Sequence, residues 1–478
     1  MGAGLDRALL DAVSGFVAER LGLHFPEERW PDLARGLANA CRELGFEEPD
    51  ACARRLATCE LTVRQLETLA SHLTVGETCF FRDPASFEAL ERQILLPLVA
   101  RRAEAGRTLR LWSAGCCTGE EAYSLAITCL RVLPDLRSWN VSILATDINP
   151  KFLAKAEAGV YSEWSFRGAP AWLRERFFSP AGGKTVSIDS AVRSLVRFGY
   201  LNLAEDAYPS LHNGTNGMDV VFCRNVLMYF TPEHQRRVAA SLHRCLVDGG
   251  CLLVNPAEAG TSLFPMFVAE HVGDVCFYRR TSEAGRVAAR LVSVPLPPGA
   301  GGLPGAMAAG MVELPVAVDP LASAAPMVAS VPVPAVEEPG APEAVAGESA
   351  ASPLVLARAL ADQGRLEEAL AACTGALAAD RTDPTAHFLH ATICHELGRL
   401  EEAVVALGRV LYLDQDFVLA HHGLGGLYRR LGKRKQAQRH LAVALELLAA
   451  RDRDAVVPES DGMTCGRLLE SVRVLAGV

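Results

Sequence analysis

The sequence lacks the marks of several protein classes. No uninterrupted apolar run among its 478 residues is long enough to cross a bilayer, which argues against direct membrane insertion. The first residues contain no basic segment followed by an apolar one, so no signal peptide is expected. No basic run stands out, and the net charge of -9 disfavours a nucleic-acid partner. These absences favour a cytoplasmic protein.

The 14 cysteines lack the spacing of a metal site or of a disulfide framework. They are scattered along the chain, and no two of them form a C-x-x-C pair. We therefore expect reduced, mostly buried cysteines that pack as small apolar side chains. No metal-ligand cluster is visible in the sequence, and no metal site is predicted.

What is present begins with apolar side chains at helical spacing between residues 5 and 74, which predict a helical N-terminal subdomain. Asp83 and Pro84 are of the types favoured at the start of a helix, so a helix is expected to begin there and to run past Leu98. Arg82 follows two phenylalanines. These rings either pack in a core or hold the arginine at the rim of a pocket.

The stretch from residue 109 to 124 organises the rest of the chain. An apolar run predicts a buried strand that ends at a loop starting with Gly115, and a helix is predicted to begin at Glu120 and Glu121. Glycine lets a ligand approach the backbone, and a helix start offers free N–H groups, so such a unit can cradle a nucleotide. The spacing G-x-x-x-G is not the dinucleotide fingerprint, so alone it also fits an ordinary strand-to-helix turn.

Predicted strands and helices alternate after this stretch. The strands are predicted at 109–113, 141–146, 196–200, 218–223 and 251–254, and the helices at 120–132, 149–157 and 232–246. This alternation predicts a mainly parallel sheet with helices on both faces.

Three predicted strand ends carry polar residues at the edge where such sheets bind ligands. One is the Gly115 loop; Asp147 ends the second strand, and Arg224, Asn225 and Tyr229 follow a later one. A carboxylate such as Asp147 can accept hydrogen bonds from both hydroxyls of a ribose, which indicates an adenosine-containing cofactor. Each end alone could be a capping residue, but three on one edge favour a site.

Two further strands are predicted between and after these elements. Lys184–Ile188 could pair with Leu195–Gly199 as a hairpin, which would be either a partner-docking surface or a mere connection. Val275–Arg279 is expected to be a final antiparallel edge strand.

The last third of the chain changes character twice. Residues 283 to 350 are rich in Ala, Pro, Gly and Val, which predicts a disordered or extended linker. After it, Gly364, Gly398 and Gly432 recur every 34 residues, the period of tetratricopeptide helix pairs. Three copies suffice for a stable stack, and such arrays bind a protein or peptide that the motif does not identify.

The predicted organisation has five parts. They are an N-terminal helical subdomain at 1–83, an α/β domain at 84–282, a linker at 283–351, three repeats at 352–450, and a tail at 451–478 with a possible capping helix at 467–475.

Five motifs carry a resemblance to a known family: TVGETCFFRD, LWSAGCCTGEEAYSLAI, ATDINPKFLAKAEAGVY, YLNLAED and VVFCRNVLMYFTPE. The chain resembles chemoreceptor glutamate methyltransferases of the CheR type with a C-terminal tetratricopeptide array. The resemblance implies a helical subdomain, a class I, Rossmann-like methyltransferase sheet with a small β-subdomain near 180–200, and an all-α array. It also implies S-adenosylmethionine as cofactor, S-adenosylhomocysteine as its product, and methyl esters formed on glutamates of receptor cytoplasmic helices, which tune signalling adaptation.

The resemblance also implies roles for single residues. The implied cofactor-binding residues are Gly76, Thr78, Arg82, Gly115, Glu120, Glu121, Asp147, Asn202, Leu203, Arg224 and Asn225. The implied catalytic residues are Arg82 and Tyr229. Gly76 stands where the family often has Asn, and Asn255–Glu258 departs from the usual G-H-S-E, so no role is implied for that stretch.

The implied reaction needs no general base, because a glutamate with a pKa of about 4.3 is already anionic at neutral pH. Arg82 can hold one carboxylate oxygen while the other attacks, and Tyr229 can add a hydrogen bond. Two rivals are a catalytically weak scaffold that binds cofactor or receptor while the repeats recruit a signalling partner, and a methyltransferase for small acids. The linker further predicts that the repeats move independently and act as a tether.

Overall fold

The computed structural model of the protein describes residues 6–46, 48–58, 61–104, 106–133, 135–260, 262–281, 352–460 and 462–476. The predicted linker at 283–351 lies outside these residues. The helices before and around the sheet are α1 (Arg7–Leu21), α2 (Trp30–Glu43), α3 (Pro49–Thr58), α4 (Val63–Leu73), α5 (Pro84–Ala89), α6 (Leu96–Arg102), α7 (Glu120–Val132), α8 (Pro150–Ala158), α9 (Ala171–Phe177), α10 (Ser190–Arg193) and α11 (Pro232–Cys245).

Four helices, α1 to α4, form the N-terminal subdomain around their own apolar core. Val13, Leu33, Leu37 and Leu69 are fully buried in it, as the helical spacing predicts. One expectation is wrong here: Cys41 on α2 and Cys52 on α3 form a disulfide, with their Cα atoms 5.9 Å apart. The packing of α2 against α3 brings these cysteines together, and their spacing in the sequence does not resemble a known framework.

The strands are β1 (Thr108–Ala114), β2 (Asn140–Asp147), β3 (Val160–Ser162), β4 (Phe178–Gly182), β5 (Thr185–Ile188), β6 (Val196–Tyr200), β7 (Met218–Phe222), β8 (Leu246–Leu253), β9 (Val268–Val272) and β10 (Val275–Arg279). Seven of them form one sheet in the order β6-β2-β1-β7-β8-β10-β9. Strands β6, β2, β1, β7 and β8 run parallel, and β10 and β9 are antiparallel.

The central parallel strands β1 and β7 are buried on both faces, as apolar strands inside a parallel sheet are. Along β1, Leu111 faces one apolar cluster and Trp112 the other. The chain adds strands toward one edge of the sheet up to β6 and toward the other edge from β7 onward. The carboxyl ends of the parallel neighbours β1 and β7 therefore flank a crevice of the kind that binds ligands in α/β proteins.

One predicted pairing and one predicted edge position are wrong. Strand β5 pairs with β3 and β4 in a separate three-stranded antiparallel sheet, whereas β6 joins the large sheet parallel to β2. Helix α10 separates β5 from β6 and turns the chain, so the two strands cannot form a hairpin. The small sheet therefore spans 160–188. Strand β10 is antiparallel as predicted, but β9 lies outside it at the edge.

The C-terminal helices are α12 (Pro353–Asp362), α13 (Leu366–Ala379), α14 (Pro384–Glu396), α15 (Leu400–Leu413), α16 (Val418–Arg430), α17 (Arg434–Ala449) and α18 (Cys465–Ala476). Helices α12 to α17 form three antiparallel pairs that match the predicted repeats. The repeated alanines Ala369, Ala403 and Ala437 are buried at the contact within each pair. Helix α18 covers the end of the stack, where the capping helix was predicted.

The repeat array packs directly against the sheet domain, which contradicts the expectation of independent motion. The loop between β6 and β7 inserts Leu211, 1% exposed, into the apolar core of the first repeats. The Leu211 amide donates to an Asp362 carboxylate oxygen at 2.6 Å, and the Asn216 side-chain amide donates to the Ala361 carbonyl oxygen at 2.9 Å. The composition of the linker gave no signal of these contacts, because they lie elsewhere in the chain.

Candidate active site

A cavity of about 1040 Å³ opens at the carboxyl ends of β1, β2 and β7, beneath the helical subdomain. It is lined by ten of the residues named from the sequence: Thr78, Arg82, Gly115, Glu121, Asp147, Asn202, Leu203, Arg224, Asn225 and Tyr229. Gly76 and Glu120 are not part of its lining. Sequence reasoning therefore brought most of its candidate residues to one place, although their individual roles remain predictions.

The loop after β1 forms the floor of the cavity. The amides of Gly115 and Cys116 donate to the Thr146 carbonyl oxygen on β2, at 2.8 and 2.9 Å, which fixes the loop to the neighbouring strand. Gly115 has a φ of 85°, and a Cβ on it would lie 2.3 Å from a Val226 methyl group. A side chain at residue 115 would therefore strain the backbone and push away the loop that follows β7.

Asp147, at the end of β2, is a buried carboxylate that faces the cavity. One oxygen accepts from the Cys117 amide and the other from the Asn149 amide, both at 2.8 Å. Burial raises the pKa of Asp147 to about 6, and the two backbone donors oppose that rise. Each oxygen keeps lone pairs beyond its backbone donor, so the group can accept from a pair of ligand hydroxyls.

The two adjacent glutamates at the start of α7 have different surroundings. Glu121 lines the cavity, accepts from the Ser113 hydroxyl at 2.8 Å and lies 4.0 Å from Arg224; burial raises its pKa. Glu120 is 2% exposed and accepts from the hydroxyls of Thr118 and Ser165, at 2.6 and 2.9 Å. The geometry thus assigns Glu120 to holding the loop in place, not to contact with a ligand.

Arg82 reaches the cavity because its neighbours are anchored behind it. Phe80 and Phe81 are buried in the core while Arg82 lines the cavity, so the rings pack in a core and also hold the arginine at a pocket. Phe81 and Asp83, on either side of Arg82, have φ values of 51° and 63°. Such left-handed backbone at non-glycine residues is costly and concentrates at functional sites.

The Arg82 guanidinium donates to the Glu77 carbonyl oxygen at 2.7 Å. Among the residues that the structure describes, no carboxylate forms an ion pair with it. The Arg82 charge is therefore not neutralised by a carboxylate of this part of the chain, and it faces the same space as Glu121 and Asp147.

Arg224, predicted to close the site, acts mainly on the segment that carries Arg82. Its guanidinium donates to the Arg82 carbonyl oxygen at 2.7 Å and to the Asp83 carboxylate at 2.9 Å, and the side chain is almost fully buried. Asp83 therefore does not cap α5 by bonding to its backbone. The helix begins at Pro84 and continues through a π-helical stretch, Leu90–Leu95, into α6, so the segment is helical past Leu98 as predicted.

Glu258 is a site residue that the sequence reasoning set aside. Its buried carboxylate accepts from the amides of Asn225, Met228 and Asn255 at 2.7, 3.1 and 3.2 Å. Asn225 itself has a φ of 59°, so the carboxylate holds a strained loop against the cavity. The signal was the glutamate that ends the N-P-A-E stretch, since it is the one position there that agrees with the family.

The helical subdomain forms the outer wall of the cavity, a wall that no sequence motif announced. Leu21, Leu23 and Phe25 line it. The His24 amide donates to the Tyr229 carbonyl oxygen at 2.7 Å, which ties this wall to the loop after β7. Tyr229 therefore lines the cavity where the helical subdomain meets the loop after β7.

Asn202 and Leu203 line the cavity after β6, but the Asn202 side chain is already engaged. Its amide nitrogen donates to the Arg20 carbonyl oxygen at 2.8 Å and to Glu205 at 3.0 Å. Its oxygen accepts from the Ala204 amide at 3.0 Å. Asn202 thus joins the sheet to the helical subdomain and shapes the pocket largely through its backbone.

Gly76 lies outside the lining because Phe152 occupies the space beside it. A Cβ at Gly76 would meet the Phe152 ring at 2.7 Å, and Phe152 does line the cavity. The glycine therefore permits an aromatic wall at this point. A residue larger than glycine, as the family often has here, would require the Phe152 ring to move.

The cysteines of the floor are unsuited to nucleophilic chemistry. Burial raises the pKa of Cys117 to about 12 and that of Cys116 well above its ordinary value, so both remain thiols. In the described residues, no group of three or more His, Cys, Asp or Glu side chains could hold a metal ion. Nor does any helix in the described ranges have the length and apolar character needed to span a membrane.

The cavity fits S-adenosylmethionine by its donor set. Two carboxylates, the buried Asp147 and the partly buried Glu121, suit its ribose hydroxyls and its positive charge, and apolar side chains such as Leu203 and Ile148 suit an adenine ring. The fold and this site together define a class I methyltransferase that uses S-adenosylmethionine.

Comparison with known proteins identifies the family. A model described as "CheR methyltransferase, SAM binding domain" matches residues 76–265, and a tetratricopeptide-repeat model matches 360–424. A probable chemotaxis protein methyltransferase of Rhizobium etli is 34% identical over 223 residues, which are 46% of this chain and 81% of that protein. The chain belongs to the CheR family of chemotaxis protein methyltransferases.

Two further relatives differ in how much of them is shared. The probable biofilm formation methyltransferase WspC of Pseudomonas aeruginosa is 34% identical over 333 residues, 68% of this chain and 72% of that protein. An uncharacterized 104.1 kDa protein of Rhodobacter capsulatus is 38% identical over 196 residues, 41% of this chain, but the chain spans only 20% of it.

Proposed function

We propose that the protein transfers methyl groups to glutamate side chains on the cytoplasmic helices of chemotaxis-type receptors and so tunes signalling adaptation. The observation that carries this proposal is the position of Arg82. Its guanidinium, which forms no ion pair with a carboxylate of the described chain, lines the same cavity as Glu121 and Asp147. A cation in that position fits a substrate that arrives as a carboxylate, and such a receptor substrate would place the reaction in the cytoplasm.

The residues of the cavity divide into those that hold the cofactor and those that receive the substrate. Asp147 would hold the ribose, Glu121 would face the positively charged end, and the loop at Gly115 would carry the remainder. S-adenosylmethionine supplies, when bound, a methyl group on a sulfonium sulfur that a carboxylate oxygen can displace. Thr78 and Asn225 would complete the contacts around it.

The substrate side needs orientation more than acid–base chemistry. A glutamate carboxylate is ionised at neutral pH, so it can react without a general base. Arg82 would hold one of its oxygens through charge-assisted hydrogen bonds and leave the other to attack, while Tyr229 would add a hydrogen bond or a wall. Arg224 keeps Arg82 in place through the backbone and Asp83.

The repeats would serve to recruit a protein. Tetratricopeptide arrays bind proteins or peptides, and the array of this chain packs beside the sheet domain. We propose that a signalling protein or peptide binds the array while the receptor helix binds the catalytic cavity. The chemistry of that partner is not specified by the residues.

The test is methyl transfer from radiolabelled S-adenosylmethionine to purified receptor cytoplasmic fragments. We expect label on glutamate that alkali releases as methanol, because a methyl ester is hydrolysed by base. Label that resists alkali would indicate methylation at another atom. Cofactor binding without any transfer would support the scaffold instead.

A further inference from the structure

Arg467, on the helix that follows the repeats, contacts both halves of the catalytic region. Its guanidinium pairs with Glu67 of α4 at 2.5 Å. The same group lies 3.4 Å from the centre of the Tyr200 ring, at the end of β6. Both charged side chains are about one-fifth exposed, so water screens this pair less than it screens a surface pair.

Both partners of Arg467 lead directly into the wall of the cavity. Helix α4, which carries Glu67, ends at Leu73, and Leu73 and Thr74 line the cavity. Tyr200 immediately precedes the lining residues Leu201, Asn202 and Leu203. One side chain of α18 thus touches the helical wall on one side and the sheet wall on the other.

Other contacts also join these two walls, and several of them are polar. The Asn149 side-chain amide donates to the Thr74 hydroxyl at 2.8 Å, and the Asn202 amide donates to the Arg20 carbonyl oxygen at the same distance. A guanidinium that pairs with one wall and stacks on the other adds a contact of a different kind. An ion pair and a cation–π contact made by one group depend on both walls keeping their separation.

We propose that Arg467 is a positioning residue for the cofactor cavity, so that the C-terminal helix holds the helical wall at its working distance from the sheet. The proposal rests on the proposed function only in that the cavity binds S-adenosylmethionine. It gives the region after the repeats a role in the enzyme itself. The repeats and their capping helix are then part of the structure that binds the cofactor.

The test is calorimetric binding of S-adenosylhomocysteine to the full chain with Arg467→Ala. We expect its Kd to rise by about two- to thirtyfold, the range seen when a mutation acts on a site through its surroundings. At saturating cofactor the methyl-transfer rate should stay near that of the wild type. The matched control is Arg473→Ala, an exposed arginine on the same helix, which should leave Kd unchanged.

Two further variants separate positioning from general destabilisation. Glu67→Gln removes the charge at nearly constant shape and should raise Kd to a similar extent. The exchange Arg467→Glu with Glu67→Arg restores the ion pair but not the contact with the Tyr200 ring, so it should recover part of the lost affinity. An unchanged Kd in Arg467→Ala and Glu67→Gln would overturn the proposal, and so would a rise in Kd of which the charge exchange recovers nothing.

These measurements are independent of the substrate. If the chain binds the cofactor but forms no glutamyl ester, the proposed function fails, and the effect of Arg467 on Kd can still be measured. If ester formation is normal and Kd does not respond to Arg467, only the present inference fails.

Discussion

The floor of the cavity and its outer support are built in different ways. In the floor, the Gly115 loop, Asp147 and Asn225 each lie at or just after the end of a strand, so a short motif both forms the element and places the side chain. In the support, Arg467 meets Glu67 across 400 positions of sequence, and Leu211 enters a core made by residues more than 140 positions later. The comparison teaches that short local motifs place the cavity-floor residues, whereas contacts between residues distant in the sequence hold the surrounding elements in place.

The largest expected effect concerns Arg82, which lines the cavity together with the floor residues. Arg82→Ala should lower methyl transfer by about 10²- to 10³-fold, the cost of losing one preorganised donor at a reacting group. The melting temperature should stay near that of the wild type, because the Arg82 side chain donates only to one backbone carbonyl of the described chain. Initial rates at saturating cofactor provide the measurement.

The matched control for Arg82 is Arg92→Ala, which removes an exposed arginine paired with Glu88. It should leave the rate unchanged. If Arg82→Ala unfolds the protein instead of inactivating it, the role of Arg82 is structural and the substrate assignment loses its support.

Asp147 gives the next largest effect, on cofactor affinity. Asp147→Ala should weaken binding by about 1.5–3 kcal/mol, the loss of hydrogen bonds to a charged group. Because the pKa of Asp147 in the free protein is about 6, wild-type affinity should also fall as the pH drops below 6 and the carboxylate takes up a proton. Calorimetry between pH 5 and 8 should show this fall in the wild type but not in Asp147→Asn.

The raised pKa of Asp147 also makes the folding stability depend on pH in a definite direction. A buried carboxyl whose folded pKa is raised binds a proton more tightly when folded, so it favours folding at low pH, and that contribution is lost as the pH rises through about 6. The free wild-type protein should therefore lose stability between about pH 4 and 7 relative to Asp147→Asn. The opposite trend in denaturant melts would show that the carboxylate is stabilised when ionised.

Glu258 holds the loop that carries Asn225 from behind, so its replacement should have an intermediate effect on turnover. Glu258→Ala leaves three backbone amides without their acceptor, which should cost about 1–3 kcal/mol of stability and relax the loop that carries Asn225 and Tyr229. Glu258→Gln keeps an acceptor and should recover most of the rate. Equal rates in Ala and Gln variants would remove the positioning role.

The smallest expected effect on methyl transfer belongs to Leu211, on the support side. Leu211→Ala should remove about 2–5 kcal/mol of packing between the loop and the first repeats. The repeats should then melt separately from the sheet domain in calorimetry, while turnover on a saturating receptor fragment should fall only about twofold. A single unchanged transition would mean that the array is held without this contact.

Much of the floor could be predicted because its signals are local. The strand at Asn140–Asp147 has an apolar run that ends in a carboxylate. The repeats have a fixed period that places an alanine, Ala369, Ala403 or Ala437, at the contact within each helix pair. The alternatives for Phe80 and Phe81 could not be resolved, because the sequence does not show which way a ring points. The structure shows both rings buried, with left-handed backbone at Phe81 and Asp83 on the two sides of Arg82.

What could not be predicted depends on pairs of distant residues. The hairpin predicted between Lys184–Ile188 and Leu195–Gly199 does not form, because helix α10 separates the two strands and β5 pairs with β3 and β4 instead. Glu120 and Glu121 have the same side chain and differ only in their orientation on α7. Glu120 is buried and hydrogen-bonded to the loop, whereas Glu121 lines the cavity. The Cys41–Cys52 disulfide and the docking of the repeat array likewise depend on how separate elements pack together.

The central claim is that the repeat array is a fixed part of the enzyme and not a tethered accessory. Amide hydrogen exchange of the loop that contains Leu211, in the full chain, tests it most directly, because the Leu211 amide donates to Asp362 on the array at 2.6 Å. The structure predicts strong protection at Leu211 that is lost in Asp362→Ala. Exchange of the wild-type Leu211 amide at the rate of an open loop would contradict the claim.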